Sequence, residues 1–401
     1  LGGGTYFGVE EMIAMLRTVA DAYVDRADEI AARASAARAA REVRGAGLPP
    51  SHEPPLERDP GESAVEHFRV LLVDQFDSRH GGFGSVPKLP HPYALLFALS
   101  LAGDPADAGL SRIVDVTLER MGALWDPIEG GFFRYADGAD WSRPGAEKTL
   151  DDHAALLHVY VEAAIRAGTG EIRDRAADIV RWVRSAMADE ANGGFFNAQT
   201  ARALDKTAYV DRNAMMVGAF IRAAALFDDI WLRDFALKSL EAVIVPAYTP
   251  GDGVAHAGPL GPAAPVRGLL TDQIHVASAL IWAHAATGRL PYSMLAAELM
   301  QFAVRRMWDE RANAFRDRVS SDDPMIPFEL NCHAACVLDR LAVLTGDAGY
   351  QERARVILRS LGGGFQEMGL FGAPYALAVR EVIDRHPPAG LELVRVDWQL
   401  G

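Results

Sequence analysis

Four segments of this chain begin with the same kind of residue cluster. They are Glu147-Lys148 ahead of Asp151-Asp152-His153, then Asp211-Arg212-Asn213, then Asp272-Gln273 with His275, and Glu329 with Asn331 and His333. At the amino ends of successive helices such carboxylates would sit in the positive field of the helix dipoles, where several acids are tolerated together. Paired acids are the usual requirement for general acid/base chemistry on a sugar. Glu147, Asp151 and Asp211 are therefore the catalytic candidates. Arg134, Lys148, Arg212, Asn213, Asp272 and Glu329 would orient a polar ligand, and Tyr135 and Trp141, in the longest intervening loop, would lie against a sugar ring. Asp and Asn are also preferred helix caps, so Asp272 and Asn331 read first as caps. Glu147 and Lys148 precede the cap position and Arg212 opposes the dipole, so capping does not explain them.

Other chemistries lack their residues. No His-Glu-x-x-His, Cys-x-x-Cys or convergent three-ligand spacing occurs, and no metal or cofactor is expected. His158, His284 and His333 lie in apolar helical runs and read as core histidines. Gly362-Gly363-Gly364 lacks the Gly-Lys-Ser/Thr ending of a phosphate loop. The two cysteines, Cys332 and Cys336, stand one helical turn apart, which suits core thiols better than a disulfide. A reducing compartment, the cytoplasm, is the corresponding expectation. With a formal charge of −14 and no basic block beyond scattered arginines in 33–44, nucleic acid and anionic membrane surfaces are poor partners. Apolar runs such as Ala214 to Leu226, interrupted by Arg222, are too short to span a bilayer.

The elements that position these clusters follow from a repeat. Asp, then Gly-Gly-Phe four residues on, appears at Asp77/Gly81/Gly82/Phe83, Asp126/Gly130/Gly131/Phe132 and Asp189/Gly193/Gly194/Phe195, with a degenerate copy at Asp309/Asn313/Ala314/Phe315. The interval is about 50–60 residues, and Gly251-Asp252-Gly253-Val254 fills the one double gap. Between the marks the periodicity predicts twelve helices in six pairs. Residues 173–188 are amphipathic, whereas 154–165 and 214–226 are apolar nearly all round, as helices buried on most sides must be. Short turns (Gly103-Asp104-Pro105, Gly168-Thr169-Gly170, Thr287-Gly288-Arg289, Gly346-Asp347) close hairpins at one rim. Long connections carrying Gly-Gly-Phe lead into each apolar helix at the other. The fold class is all-α, an (α/α) six-hairpin toroid over 63–401, with its site at the long-loop rim. Residues 46–62, with Pro49-Pro50 and Pro54-Pro55, read as a linker, and 1–45 as a strand and helix from a neighbouring domain. The opening Leu1-Gly2-Gly3-Gly4, without Met, reads as a start inside a longer gene product.

These residues resemble a known family. Phe76-Asp77, Gly81 to Gly84 and Pro87-Lys88-Leu89-Pro90 are similar to the toroid half of thioredoxin-domain-containing proteins related to spermatogenesis-associated thioredoxin-like protein. The likeness continues through Gly130 to Tyr135, Trp141, Pro144, Glu147-Lys148, Asp211-Arg212-Asn213 and Leu269 to Gln273. The resemblance implies a thioredoxin-like domain, of which Leu1 to Phe7 would be the last strand and 9–35 the closing helix. A barrel similar to those of N-acylglucosamine 2-epimerases and unsaturated glucuronyl hydrolases would follow. The family's Pro-His-Phe-Glu-Lys is Pro144-Gly145-Ala146-Glu147-Lys148 here, and Asp151 stands where the family has Tyr. The expected function is a carbohydrate-active toroid, epimerase-like or glycoside hydrolase-like, acting on a small sugar or glycan. The alternative is a non-catalytic scaffold serving the thioredoxin-like domain that the resemblance implies.

Overall fold

The computed structural model describes residues 60–391 and 393, apart from 102–106, 168–169, 202, 258–265 and 321–323, together with a few helical positions between 13 and 32. The chain divides into two compact units, Leu1–Arg58 and Asp59–Gly401. The expectations for 1–45 and for most of the linker lie outside the described residues. The linker's expected last residues do not: the first helix already begins at Pro60.

Twelve α-helices follow among the described residues. They are α1 (Pro60–Gln75), α2 (Pro92–Ser100), α3 (Ala108–Met121), α4 (Leu150–Ala167), α5 (Gly170–Trp182) and α6 (Val210–Phe227). The remainder are α7 (Ile230–Ala247), α8 (Leu270–Thr287), α9 (Leu290–Met307), α10 (Phe328–Thr345), α11 (Ala348–Leu361) and α12 (Ala373–Val382). The even-numbered helices pack on one another in the order α2, α4, α6, α8, α10, α12, and α12 returns to α2, so the inner ring is closed. Each odd-numbered helix packs outside an inner one, and α1 covers α12, joining the beginning of the toroid to its end. The outer helices α3, α5 and α11 bury one stripe each, whereas α6, α8 and α10 bury residues on nearly every side. Two rings give the chain that alternation: a helix between neighbours and an outer helix has little surface left for water.

The repeated Asp-x-x-x-Gly-Gly-Phe is a turn device. In each copy the Asp Oδ1 accepts hydrogen bonds from the backbone N–H groups two and three residues on, at 2.9–3.3 Å for Asp77, Asp126, Asp189 and Asp309. The paired glycines follow at φ 72–83°, a region costly for other residues. Phe83, Phe132, Phe195 and Phe315 then return into the core, 1% exposed or less. Short antiparallel ladders, not anticipated from the sequence, decorate this rim: β1 (Glu147–Thr149), β2 (Ala198–Thr200) and β3 (Leu204–Asp205), then β4 (Tyr248–Thr249) with β5 (Gly253–Val254), and β6 (Trp308–Asp309) with β7 (Ala314–Phe315). No parallel sheet occurs among the described residues.

Candidate active site in the axial cavity

The inner helices share a common register, and their fourth residues show how it is set. Asn213 accepts from Phe195 N at 2.7 Å and donates to Phe195 O and Tyr209 O at 3.0 and 2.8 Å. Asn331 does the same to Phe315 and Pro327, and Gln273 to Val254 and Leu269. In α4 the position is His153, whose Nε2 accepts from Phe132 N at 2.8 Å while Nδ1 donates to Thr149 O at 2.7 Å. Each side chain ties the incoming long loop to the first turn of its helix and satisfies backbone groups that would otherwise be buried unpaired.

Counted from the same starts, the second, sixth, ninth and thirteenth residues of α4, α6, α8 and α10 face the toroid axis. They read Asp151, Ala155, His158, Glu162; Asp211, Met215, Gly218, Arg222; Thr271, His275, Ser278, Trp282; and Glu329, His333, Cys336, Arg340. Their spacing of four, three and four is one helix stripe. The upper residues keep contact with solvent, whereas Glu162, Arg222 and Trp282 are only 5%, 4% and 8% exposed, so the space closes at that level. This axial cavity encloses about 820 Å³ and draws lining from all six inner helices, with Tyr93 on α2 and Glu381 on α12. Arg385 to Pro388, after the last helix, line its closed end.

At its upper level His275 and His333, from neighbouring helices, meet edge to face with ring centroids 5.5 Å apart, and Tyr93 lies 5.2 Å from His333. Burial pushes both imidazoles down to about 4, so both are neutral at pH 7. The Tyr93 hydroxyl lies beside the Glu329 carboxylate, and burial together with that charge keeps the phenol protonated. Desolvation raises the pKa of Glu329 itself. At the lower level Arg222 pairs with Glu162 at 2.5 Å, and Arg340 grips Glu381 through two hydrogen bonds of 2.6 and 2.9 Å.

The residues singled out in the sequence divide into two groups. Asp151, Asp211 and Glu329 stand in the second-position tier above the histidines. Arg212 lies 3.8 Å from Asp151, and Asp211 accepts from Thr271 at 2.9 Å. Asp272 is fully buried beside them, hydrogen-bonded to His256 at 3.0 Å and pushed up to about 6, chiefly by burial. Glu147 lies on β1 and pairs with Arg134 at 3.4 Å, outside the cavity lining, while Arg134 also reaches Asp152 at 3.2 Å. Burial and the adjacent Asp151 raise Asp152 to about 6. Tyr135 is half-buried against Gly145.

Three others are committed to the loops and do not reach the axis. The Lys148 ammonium is buried and donates to Asp126 Oδ2 and Gly130 O, each at 2.7 Å, as Lys88 does to Asp77. Trp141 is 1% exposed, roofed by Gly82 and donating to His80 O at 3.1 Å, so its ring has no free face for a sugar. Asn213 has both ends engaged as described. The cavity residues that sequence reasoning left as core are His158 and His333, with Arg222 and Arg340 not considered. Aligning the inner helices on their fourth residue and reading the stripe would have found them.

No family model matches the chain. It is 30% identical over 150 residues to spermatogenesis-associated protein 20 of Mus musculus, covering 35% of this chain and 19% of that protein. The protein of the same name from Rattus norvegicus is 28% identical over 219 residues, covering 50% of this chain and 26% of that protein. The chain is thus related to these proteins and matches about a fifth to a quarter of their length. Among solved structures, cellobiose 2-epimerase from Spirochaeta thermophila is similar at a TM-score of 0.66 and 15% identity, covering 83% of this chain and 99% of that one. A D-mannose isomerase gives 0.65 at 12% identity, covering 77% and 87%. A family 76 glycoside hydrolase from Bacteroides thetaiotaomicron gives 0.63 at 12%, covering 82% and 100%. At such identities the likeness is one of fold, and the fold is the six-hairpin toroid.

Proposed function

We propose that this toroid is a carbohydrate-active enzyme that binds a sugar in the axial cavity and moves a proton at the carbon next to its carbonyl. The observation that carries this reading is the contacting pair of neutral imidazoles, His275 and His333, within a walled cavity of sugar-binding size. A neutral imidazole can take the C2 proton of an open-chain aldose as the C2–H electron pair moves into a C1–C2 enediol. The partner ring accepts or supplies the compensating hydrogen bond. A proton delivered to the opposite face of C2, with O1 giving its proton back, epimerises that carbon; delivery to C1, with O2 losing its proton, gives the ketose. Tyr93, a phenol kept protonated beside Glu329, would turn from that carboxylate to supply the proton that the carbonyl oxygen takes up as the enediol forms. That the fold is shared with a sugar epimerase and a sugar isomerase supports the substrate class.

A second reading, glycoside hydrolysis, has one observation in its favour: Glu329, with its raised pKa, shares the upper tier with the carboxylates Asp151 and Asp211. Incubation with reducing mono- and disaccharides in D₂O, followed by NMR, separates the two. Proton transfer puts deuterium at C2 and is lost in His275→Asn and His333→Asn. Hydrolysis releases product from aryl glycosides without exchange and is lost in Glu329→Gln. Neither signal, across a broad panel, leaves the toroid as a scaffold.

A further inference from the structure

Three side chains with metal-ligating groups meet where the connection between α7 and α8 crosses the starts of two inner helices. Asp211 is the second residue of α6, Asp272 the third of α8, and His256 belongs to the connection itself. One carboxylate oxygen of each aspartate and one ring nitrogen of His256 lie within 4.8 Å of one another. His256 Nδ1 stands 3.0 Å from Asp272 Oδ1. Two ligands about 2.1 Å from one ion, at right angles to each other, are about 3.0 Å apart, so this pair already has the spacing of neighbouring ligands. The group is braced from outside. Thr271 Oγ1 donates to Asp211 Oδ2 at 2.9 Å, and the Tyr209 ring packs on the imidazole with centroids 4.8 Å apart.

An acid–imidazole hydrogen bond does not by itself account for this arrangement. Asp272 is 0% exposed, yet its Oδ2 has no hydrogen-bond partner. A second carboxylate, Asp211, stands beside it, and among the described residues no lysine or arginine forms an ion pair with either. Arg212 Nη1 is turned to Asn197 and Asp151 instead. Buried carboxylates persist in folded proteins when they are paired or when they coordinate a metal, and the pairing here is incomplete. Asp211 and His256 are only partly buried. An ion that sheds its water can therefore enter from the long-loop rim through these two, and Asp272 needs no surface of its own.

We infer that Asp211, His256 and Asp272 form a divalent-cation site at the long-loop rim. Two carboxylates with a neutral imidazole match a doubly charged ion, and the imidazole selects a first-row ion, Mn²⁺ or Zn²⁺, over Mg²⁺ and Ca²⁺. The ligands come from three separate elements, so the bound ion ties the connection to both inner helices. Three protein ligands also leave coordination positions for water. Binding of the ion requires neither a sugar nor proton transfer.

Calorimetric titration of the intact chain, stripped of metal with EDTA, tests this with MnCl₂ and, separately, ZnCl₂ at about pH 7.5. The expectation is one site with a Kd of about 10 µM or tighter for at least one of the two ions, and binding of Mg²⁺ and Ca²⁺ at least tenfold weaker. At a hundredfold excess over Kd the ion should raise Tm by about 4 °C. His256→Ala and Asp272→Asn should each weaken binding tenfold or more and remove the rise in Tm. Glu147→Gln, an acid of the same rim outside the cavity lining, should leave both unchanged. Melts of the metal-free variants verify their fold, and Asp272→Asn keeps an acceptor for His256. In the parent chain itself, Mn²⁺ should broaden the His256 imidazole resonances before those of the other histidines, a readout that needs no variant. Absence of saturable binding below about 1 mM, preference for Mg²⁺ or Ca²⁺, unchanged binding in a folded His256→Ala or Asp272→Asn, or His256 resonances spared by Mn²⁺ overturns the inference.

Discussion

Replacing Asn213 offers a quantitative test of how the long loops are fixed to the inner ring. Its amide makes three hydrogen bonds, two of them to the N–H and C=O of Phe195, and the side chain is 1% exposed. Tyr209 O keeps a second donor, the Asn213 backbone N–H at 3.0 Å, so its loss is small. In Asn213→Ala the two polar groups of Phe195 lose their partner inside the protein. At about 1–3 kcal/mol for each unsatisfied buried group, partly relieved by water entering the vacated space, the expected destabilisation is about 3 kcal/mol. For a unit of this size that corresponds to roughly 4 °C in Tm. The decisive comparison is Asn213→Asp, nearly identical in shape. It keeps an acceptor for Phe195 N–H but sets a carboxylate oxygen against Phe195 O, where the amide donated. Scanning calorimetry at pH 7 should show Asp at least as destabilising as Ala, with the penalty easing as pH falls and the carboxyl regains a proton to donate. An aspartate variant within about 1 °C of the parent would mean that shape, not hydrogen bonding, holds the loop, and the argument for the common register would fail.

Two further outcomes follow from the same device. His153 is neutral in the fold, with burial holding it at about 4, against about 6.5 unfolded. The unfolded chain therefore binds the extra proton first, and stability present above pH 6.5 is lost as pH falls toward 4, by up to about 3 kcal/mol for this residue. His153→Asn, the side chain used at this position by α6 and α10, should flatten the dependence of Tm on pH over that window, and an unchanged slope would count against it. Gly131 and Gly251 both have φ near 80°, at 80° and 76°, but a Cβ on Gly131 would lie 2.6 Å from the Trp182 ring, whereas Gly251 has open space. Gly251→Ala should cost about 1 kcal/mol, the backbone term alone, and Gly131→Ala at least about 2 kcal/mol more; equal urea midpoints would remove the steric part of the argument.

The architecture was legible along the chain because its causes are local and repeated. Asp77, Asp126 and Asp189 with their Gly-Gly-Phe partners mark one turn chemistry at a regular interval, and the alternation of one-sided with all-round apolar helices marks outer and inner rings. Each is decided by near neighbours in sequence. Lys148, Trp141 and Asn213 show where this stops. A polar or aromatic residue at a helix start has the same appearance whether it faces a ligand or is consumed by the loop folded over it, and the partners that consume these three, Asp126, His80 and Phe195, are brought in only by tertiary packing. The histidines illustrate the converse. His158 and His333 lie among apolar residues because three sides of an inner helix are buried, and only closure of the ring by α12 against α2 turns the fourth side into the wall of a cavity. Which helix stripe faces the axis, and hence that His275 meets His333 and that Arg222 is sealed at the closed end, depends on the rotation of each helix about its own axis. That rotation is set by the fourth-position anchors and by neighbouring helices, so it belongs to the assembled ring and not to any segment of it.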